Sequence, residues 1–247
     1  MLPESKYLKE YYSRHRSLTL SSAKKIIKLF PDYFDPKSIL DIGCGSGEWI
    51  LAFQNQYPLC KLTGIDGHWI KSDELISKSN DFIVADLNSG LPVEIFDKKY
   101  DLISCLETIT DLPKKKGEHL IHQLCKITNL CLFSSGTPIQ THGPHKNRQW
   151  QSYWHNLFEK NGFKALDFIR SATWNDSEVG PWYSQNCFLF VEKSWLEDNP
   201  RWQNLSLNQE NPIDVVHPMI VPPLIQNMKL KKWLKILPRV LLNTFKK

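Results

Sequence analysis

The sequence predicts an α/β protein: a seven-stranded, mostly parallel sheet with helices on both faces and an antiparallel last strand. Three observations carry this prediction. Strand and helix patterns alternate between residues 37 and 136, the order that builds a parallel sheet. The first strand-like run ends in a glycine turn, "LDIGCGSGEW" over 40–49, where a helix pattern begins. Two more strand-like runs come late in the chain with no helix pattern between them, and strands without a crossover helix pair antiparallel.

Each element has a local reason. Residues 4–30 read as helical, with "SSAKKIIKLF" (21–30) the better-patterned part, and Pro31 and Pro36 end the segment. Strands are expected at 37–43, 61–67, 81–87, 100–107 and 129–136, and helices at 47–56, 68–79 and 115–127. Aromatic residues at 150, 153, 154 and 158 form a helical stripe over 148–162, closed by Gly162. "FKALDFIRSA" and "QNCFLFVEK" (185–193) give the last two strands. The organisation read from this is a helical segment at 1–36, a domain at 37–194, an irregular extension at 195–227 wrapped on the surface, and a basic amphipathic helix at 228–247.

Composition narrows the classes. With 247 residues and 41% hydrophobic content, the chain buries a real core. It has no apolar run of spanning length, and its first residues lack an apolar signal region, so a cytoplasmic location is expected. Its six cysteines never form a C-x-x-C pair, which suits buried reduced thiols. The net charge of +5 belongs to the tail: after Asp214 there are seven bases and no acids, so residues 1–214 are slightly acidic. The body is therefore not a phosphate-binding surface, and no nucleic-acid partner is expected. His119 and His122 share a helix face, but no acid completes a metal set, so no metal is assigned.

The glycine turn narrows the ligand. Gly43, Gly45 and Gly47 follow Asp41 in G-x-G-x-G spacing, and Glu48 stands where a dinucleotide fingerprint needs its third glycine. The Gly-Lys-Ser/Thr of a P-loop is absent as well. Asp66 closes the second strand about twenty residues on, where a carboxylate can accept ribose hydroxyls. Asp86, with the amide of Leu87, closes the third and can meet an adenine edge. Glu107 ends the fourth at the same sheet edge. This is a nucleoside pocket without a phosphate cradle.

In order and spacing, "LDIGCGSG", "GID" and "VAD" resemble the class I S-adenosylmethionine-dependent methyltransferases over roughly residues 37–193. The resemblance implies a Rossmann-like sheet, S-adenosyl-L-methionine near Gly43 and Gly45, ribose on Asp66 and adenine by Asp86. A subset of that superfamily ends its fourth strand in Glu-Val-x-Glu-His-Leu. Here the segment is "ETITDLP" (107–113), which keeps Glu107 and replaces the Glu-His pair with Thr110 and Asp111. Residues 134–154 and "WYSQN" (182–186) are similar to a bacterial subset often associated with saccharide and cell-surface glycan pathways.

An in-line methyl transfer must align acceptor and methyl group, and a hydroxyl acceptor must lose a proton. His145 is the candidate base, with His142 competing and a loop-holding role as the alternative. Asn147, Gln185 and Asn186 are candidates to hydrogen-bond sugar hydroxyls, and Trp182 or Tyr183 to stack on a ring face. Trp150, Tyr153, Trp154 and Phe158 read better as core. The leading expectation is methyl transfer to a hydroxyl of a saccharide or glycan precursor. The alternatives are a small-molecule or protein methyltransferase, or a non-catalytic scaffold that keeps the fold. In the tail, Leu230, Trp233, Leu234, Leu237, Leu241 and Phe245 share one helical face opposite lysines. That face suits peripheral attachment to an anionic inner membrane surface or docking on a protein partner.

Overall fold

The computed structural model describes residues 4–70, 75, 81–140, 145–206 and 212–221. The tail at 228–247 and His142 lie outside them. Helix α1 (Glu4–Ile27) leads into β1 (Ser38–Ile42), α2 (Glu48–Gln56), β2 (Lys61–Asp66), β3 (Asp81–Val84) and β4 (Leu102–Leu106). Then come α3 (Lys114–Ile127), β5 (Leu130–Ser134), α4 (Gln151–Lys160) and β6 (Phe163–Leu166). Helices α5 (Phe168–Thr173) and α6 (Pro181–Asn186) precede β7 (Phe188–Glu192) and α7 (Lys193–Asp198).

The seven strands lie in the order β3-β2-β1-β4-β5-β7-β6. The pairs from β3 to β5 are parallel, and β7 runs antiparallel between β5 and β6. Strands β4 and β5 are buried at every position, as expected of strands covered on both faces. One face packs on α1, α2 and α6 through Ile26, Ile27, Trp49, Phe53 and Tyr183. The other packs on α3 and α4 through Leu120, Leu124, Trp154 and Phe158. Phe158 stacks flat on Phe190 of β7, with ring centroids 3.8 Å apart. Gly64 in β2 lets α2 sit close, because a Cβ there would fall 2.6 Å from Ile50 Cδ1 and 2.8 Å from Cys44 Sγ. The order reverses direction at β1, whose neighbours β2 and β4 lie on opposite sides. That is the switch point where a parallel sheet opens a crevice at its carboxyl ends.

The structure corrects three expectations. The strand expected over 163–172 stops at Leu166, because Asp167 pairs with Arg170 at i,i+3 and Ile169 and Thr173 turn inward on a helical face. The link between the last two strands holds α5 and α6, the latter opened by Pro181 after Gly180, so "WYSQN" is helical and β7 starts only at Phe188. Their antiparallel pairing stands because β7 inserts beside β5. The extension after 194 is not simply wrapped on the surface: α7 spans 193–198, a 3-10 turn covers 200–206, and Trp202 packs edge-on against Phe34, Phe30 and Trp195. At the start of the helix expected over 68–79, the chain makes a turn closed by Ile70 N–H to Gly67 C=O. Most of the rest lies outside the described residues. Among the described residues no helix is long and apolar enough to cross a membrane.

Candidate active site

The glycine turn is fastened to β2. Gly43 and Cys44 both donate to the Ile65 carbonyl, at 2.8 and 3.1 Å. Gly45 N–H donates to Asp66 Oδ2 at 2.7 Å, and Gly67 N–H to Asp66 Oδ1 at 2.6 Å. Trp69 adds a side-chain hydrogen bond to the same carboxyl, which burial pushes above the usual carboxylate range. Gly43, Gly45 and Gly47 all have positive φ, and Gly47 caps α2. At Gly43 (φ 71°) glycine is required twice over. The backbone is left-handed, and a Cβ would fall 2.2 Å from Thr108 Oγ1. Thr108 is itself held, its hydroxyl donating to the Ile42 carbonyl at 3.0 Å.

Carboxyl groups surround this turn. Asp41 is buried and accepts Ser104 Oγ–H at 2.6 Å, while its Oδ2 has no hydrogen-bond partner. Burial first, then the charges of Asp66 and Glu48, push Asp41 up to about 7. Glu48 accepts Ser46 Oγ–H at 2.7 Å and pairs with Arg16 at 3.2 Å. Glu107, one residue past β4, has φ 56°, the one non-glycine positive φ among the described residues. Its amide donates to the Ser134 carbonyl at 3.0 Å, and Thr110 Oγ1 donates to its carbonyl at 2.6 Å. Its Oε1 is buried without a partner, and burial pushes the group up to about 7 against hydrogen bonds from Ser134 and Asn186 and the charge of His145.

His145 Nδ1 lies 2.8 Å from Asp111 Oδ1. The loop carrying it is pinned where Lys146 and Asn147 amides both donate to the Thr110 carbonyl. The turn after β4 thus supplies both the acid that orients the imidazole and the carbonyl that fixes its loop. Beyond it lies a buried amide network. Gln185 Nε2 donates to Asn186 Oδ1 at 2.8 Å, and Asn186 Nδ2 to Gln140 Oε1 at 2.9 Å. Gln140 Oε1 also accepts the Thr137 amide at 2.8 Å, and Gln185 Oε1 accepts the His217 amide at 2.8 Å.

The structure therefore brings Asp41, Gly43, Gly45, Gly47, Asp66 and Glu107 to one crevice, with His145, Gln185 and Asn186 on its β5 side. Asp86 follows Ala85, whose amide donates to the Asp66 carbonyl at 2.9 Å, so it stands at the same sheet edge, and the remaining candidates also bond or pack within the fold. Asp86 caps a 3-10 turn, accepting the Asn88 amide at 2.9 Å two residues past the end of β3, and the Leu87 side chain is in the core. Asn147 is buried, and a Cβ on Gly117 of α3 would come within 2.8 Å of its amide nitrogen. Tyr183 is buried and accepts Trp49 Nε1–H at 3.3 Å, and Trp182 lies over Gly180. Of those three side chains, Asn147 and Tyr183 are buried and Trp182 is half-buried. Sequence reasoning missed Asp111, Gln140 and Thr137. The signal for Asp111 was the changed "ETITDLP" segment. Trp154 and Phe158 are core, as expected, whereas Trp150 is exposed. Among the described residues no group of three His, Cys, Asp or Glu forms a metal site.

Solved structures share this arrangement. The plantazolicin methyltransferase BpumL, in complex with SAH, matches with a TM-score of 0.55 at 18% identity, over 77% of this chain and 91% of that one. The magnesium protoporphyrin IX methyltransferase ChlM from Synechocystis PCC 6803, with bound SAM, matches at 0.52 and 16% identity, over 75% and 84%. The mitomycin 7-O-methyltransferase MmcR matches at 0.53 and 14% identity over 74% of this chain, which spans 57% of that protein's length. These likenesses are of fold. No curated protein matches the chain. A family profile described as a methyltransferase domain matches residues 12–175, about two thirds of the chain, taking in the glycine turn, Asp66, Glu107 and the Asp111–His145 pair. The chain belongs to the methyltransferase-domain family.

Proposed function

We propose that the protein transfers a methyl group from S-adenosyl-L-methionine to a hydroxyl of a saccharide or glycan precursor. The observation that carries the donor is the set of carboxyls around the glycine turn. Asp41, Glu48 and Asp66 surround it and Glu107 stands beside it. That field repels a pyrophosphate and favours a cation, so a dinucleotide fits poorly and a sulfonium fits well. Asp66 keeps acceptor capacity after its two backbone bonds, since an ionised carboxylate offers about four lone-pair sites. It would hold the ribose while the Gly43–Gly45 backbone allows close approach. When bound, S-adenosylmethionine supplies an electrophilic methyl on a sulfonium.

The acceptor side follows from His145. With Nδ1 engaged by Asp111, Nε2 is the nitrogen left to take the proton of an attacking hydroxyl, and Asp111 stabilises the imidazolium that forms. Gln140, half-buried and held through its Oε1 by Thr137 and Asn186, gives that side a polar group suited to a polyol, with Gln185 and Asn186 buried behind it. A tail at 228–247 resting on an anionic membrane or a protein partner would bring the site to such a precursor.

Calorimetry tests the donor, with S-adenosylmethionine and S-adenosylhomocysteine as titrants, NAD as control and Asp66→Ala alongside. Micromolar binding of both sulfur compounds, lost in the variant, is expected. Binding of NAD alone would overturn the reading. A panel of methyl glycosides with methyl-labelled donor then tests the acceptor, and labelling of amine or peptide acceptors in its place would overturn the saccharide assignment.

A further inference from the structure

We propose that Glu107 makes the site discriminate charge, so that the cationic methyl donor is held more tightly than its neutral demethylated product. This rests on the reading of the crevice as an S-adenosylmethionine pocket. It adds a residue that selects for the reactive form and eases release of the spent one.

Four observations converge on Glu107. Its backbone is left-handed at 56°, a conformation unfavourable for a side-chain-bearing residue that persists where its surroundings hold it. Here the Ser134 carbonyl and Thr110 hydroxyl hold it from both sides. Its Oε1 is buried and unpartnered, an acceptor without a donor. Its neighbour Thr108 packs on Gly43, so the carboxyl stands between the glycine turn and His145. Finally, the neighbouring carboxyl Asp41 also has a buried unpartnered oxygen, and the charges bearing on it, Asp66 and Glu48, have its own sign. Two orphaned acidic oxygens flanking one turn are costly unless a cation completes them.

The groups facing Glu107 are known from each side. Ser134 on β5 and Asn186 on α6 hydrogen-bond it, His145 favours its ionised form and Asp111 opposes it. Tyr183 and Cys187 lie within electrostatic reach and stay protonated. With burial holding Glu107 at about 7, the carboxyl is mostly protonated at pH 5.5 and ionised at pH 8.5. A ligand that needs the ionised form then binds about 30-fold more weakly at the lower pH. A ligand indifferent to it does not change.

The test is calorimetry of the whole protein with S-adenosylmethionine and S-adenosylhomocysteine at pH 5.5 and 8.5. The two ligands share their amino and carboxylate groups and differ in the sulfonium charge. In the native protein the affinity ratio of donor to product is expected to rise about 30-fold with pH. In Glu107→Gln the rise is expected to shrink to what Asp41, the other carboxyl with a buried unpartnered oxygen, contributes. A ratio that is independent of pH, or unchanged in the variant, overturns the proposal and leaves the methyl-donor reading intact. Failure of both ligands to bind overturns that reading instead. Should the variant not fold, native protein at pH 6.5 in buffers of different ionisation enthalpy decides the matter. Binding of the donor should release about 0.8 proton and binding of the product close to none. Equal release for both overturns the proposal.

Discussion

Replacing Asp41 with Asn should remove a large part of the protein's pH dependence of stability. Asp41 lies in β1 opposite Ser104 of β4, 3% exposed, with one oxygen bonded to the serine hydroxyl and the other unpartnered. Burial raises it to about 7, so the folded protein binds a proton that the unfolded chain has already released. Stability from this group is therefore full below the unfolded value near 4 and is lost as pH rises to 7. Above that the loss is constant. Between pH 5 and pH 7 the change is two pH units, or about 3 kcal/mol. Asn keeps the size and an acceptor for Ser104 but cannot ionise, and its amide nitrogen takes over the unpartnered position at a cost of about 1–2 kcal/mol. The variant should thus be less stable than or equal to the native protein at pH 5 and more stable at pH 8. Urea unfolding followed by far-UV circular dichroism at the two pH values measures this. A stability difference between the two proteins that stays constant from pH 5 to pH 8 would refute the reasoning, because it would mean Asp41 is already ionised at pH 5.

Gly43→Ala should cost about 2–4 kcal/mol, combining a left-handed backbone with a Cβ driven into Thr108, and Thr108→Ala in the same chain should recover part of it in urea unfolding. Arg170→Met should cost about 3–5 kcal/mol and speed protease cleavage within 212–221. The buried guanidinium pairs with Asp167, donates to the Pro212 and Ile213 carbonyls and lies over the Phe188 ring, so an unchanged cleavage rate would show that the segment is held by other bonds. With an acceptor that the protein methylates, His145→Ala should lower kcat by about 10²–10⁴, the usual range for a general base. Asp111→Asn should lower kcat by no more than about tenfold with KM unchanged, because the acid is exposed and its bond to the imidazole is screened. A larger fall in the Asp111 variant than in the His145 variant would place the catalytic group elsewhere.

The sheet and one half of the site were legible because they rest on local signals. A parallel strand buried on both faces reads as an apolar run, and the glycine turn announces where it ends. That is why β1, α2, β2, β4 and β5 fall where the pattern put them, and why Asp66 and Glu107 could be named. Within 163–193 the two strands were set too wide and the helices between them missed, because those helices are one to two turns long, too short for periodicity to separate from strands. Arg170 there is buried by partners more than forty residues away, which no window contains. Asp86 follows β3 where the pattern placed it and caps the next turn, a use that the sequence does not separate from meeting a ligand. The Asp111–His145 pair spans 34 positions, so neither residue marks the other.

The division of labour within the fold follows from where the buried polar groups lie. The family match ends at residue 175 and contains the glycine turn, Asp66, Glu107 and His145. Of the amides on the β5 side, Gln140 lies within it and Gln185 and Asn186 on α6 lie beyond it, bonded to the segment at 212–221. There Gln151 donates to the Val215 carbonyl, Ser152 to Asp214, and His217 to Gln185. These bonds tie the segment after β7 to α4 and α6. The residues proposed for donor and proton thus lie inside the matched segment, and Gln185, Asn186 and His217 lie after it. Substitutions at Gln185, Asn186 or His217 should then change which acceptor is used before they change how the donor is held.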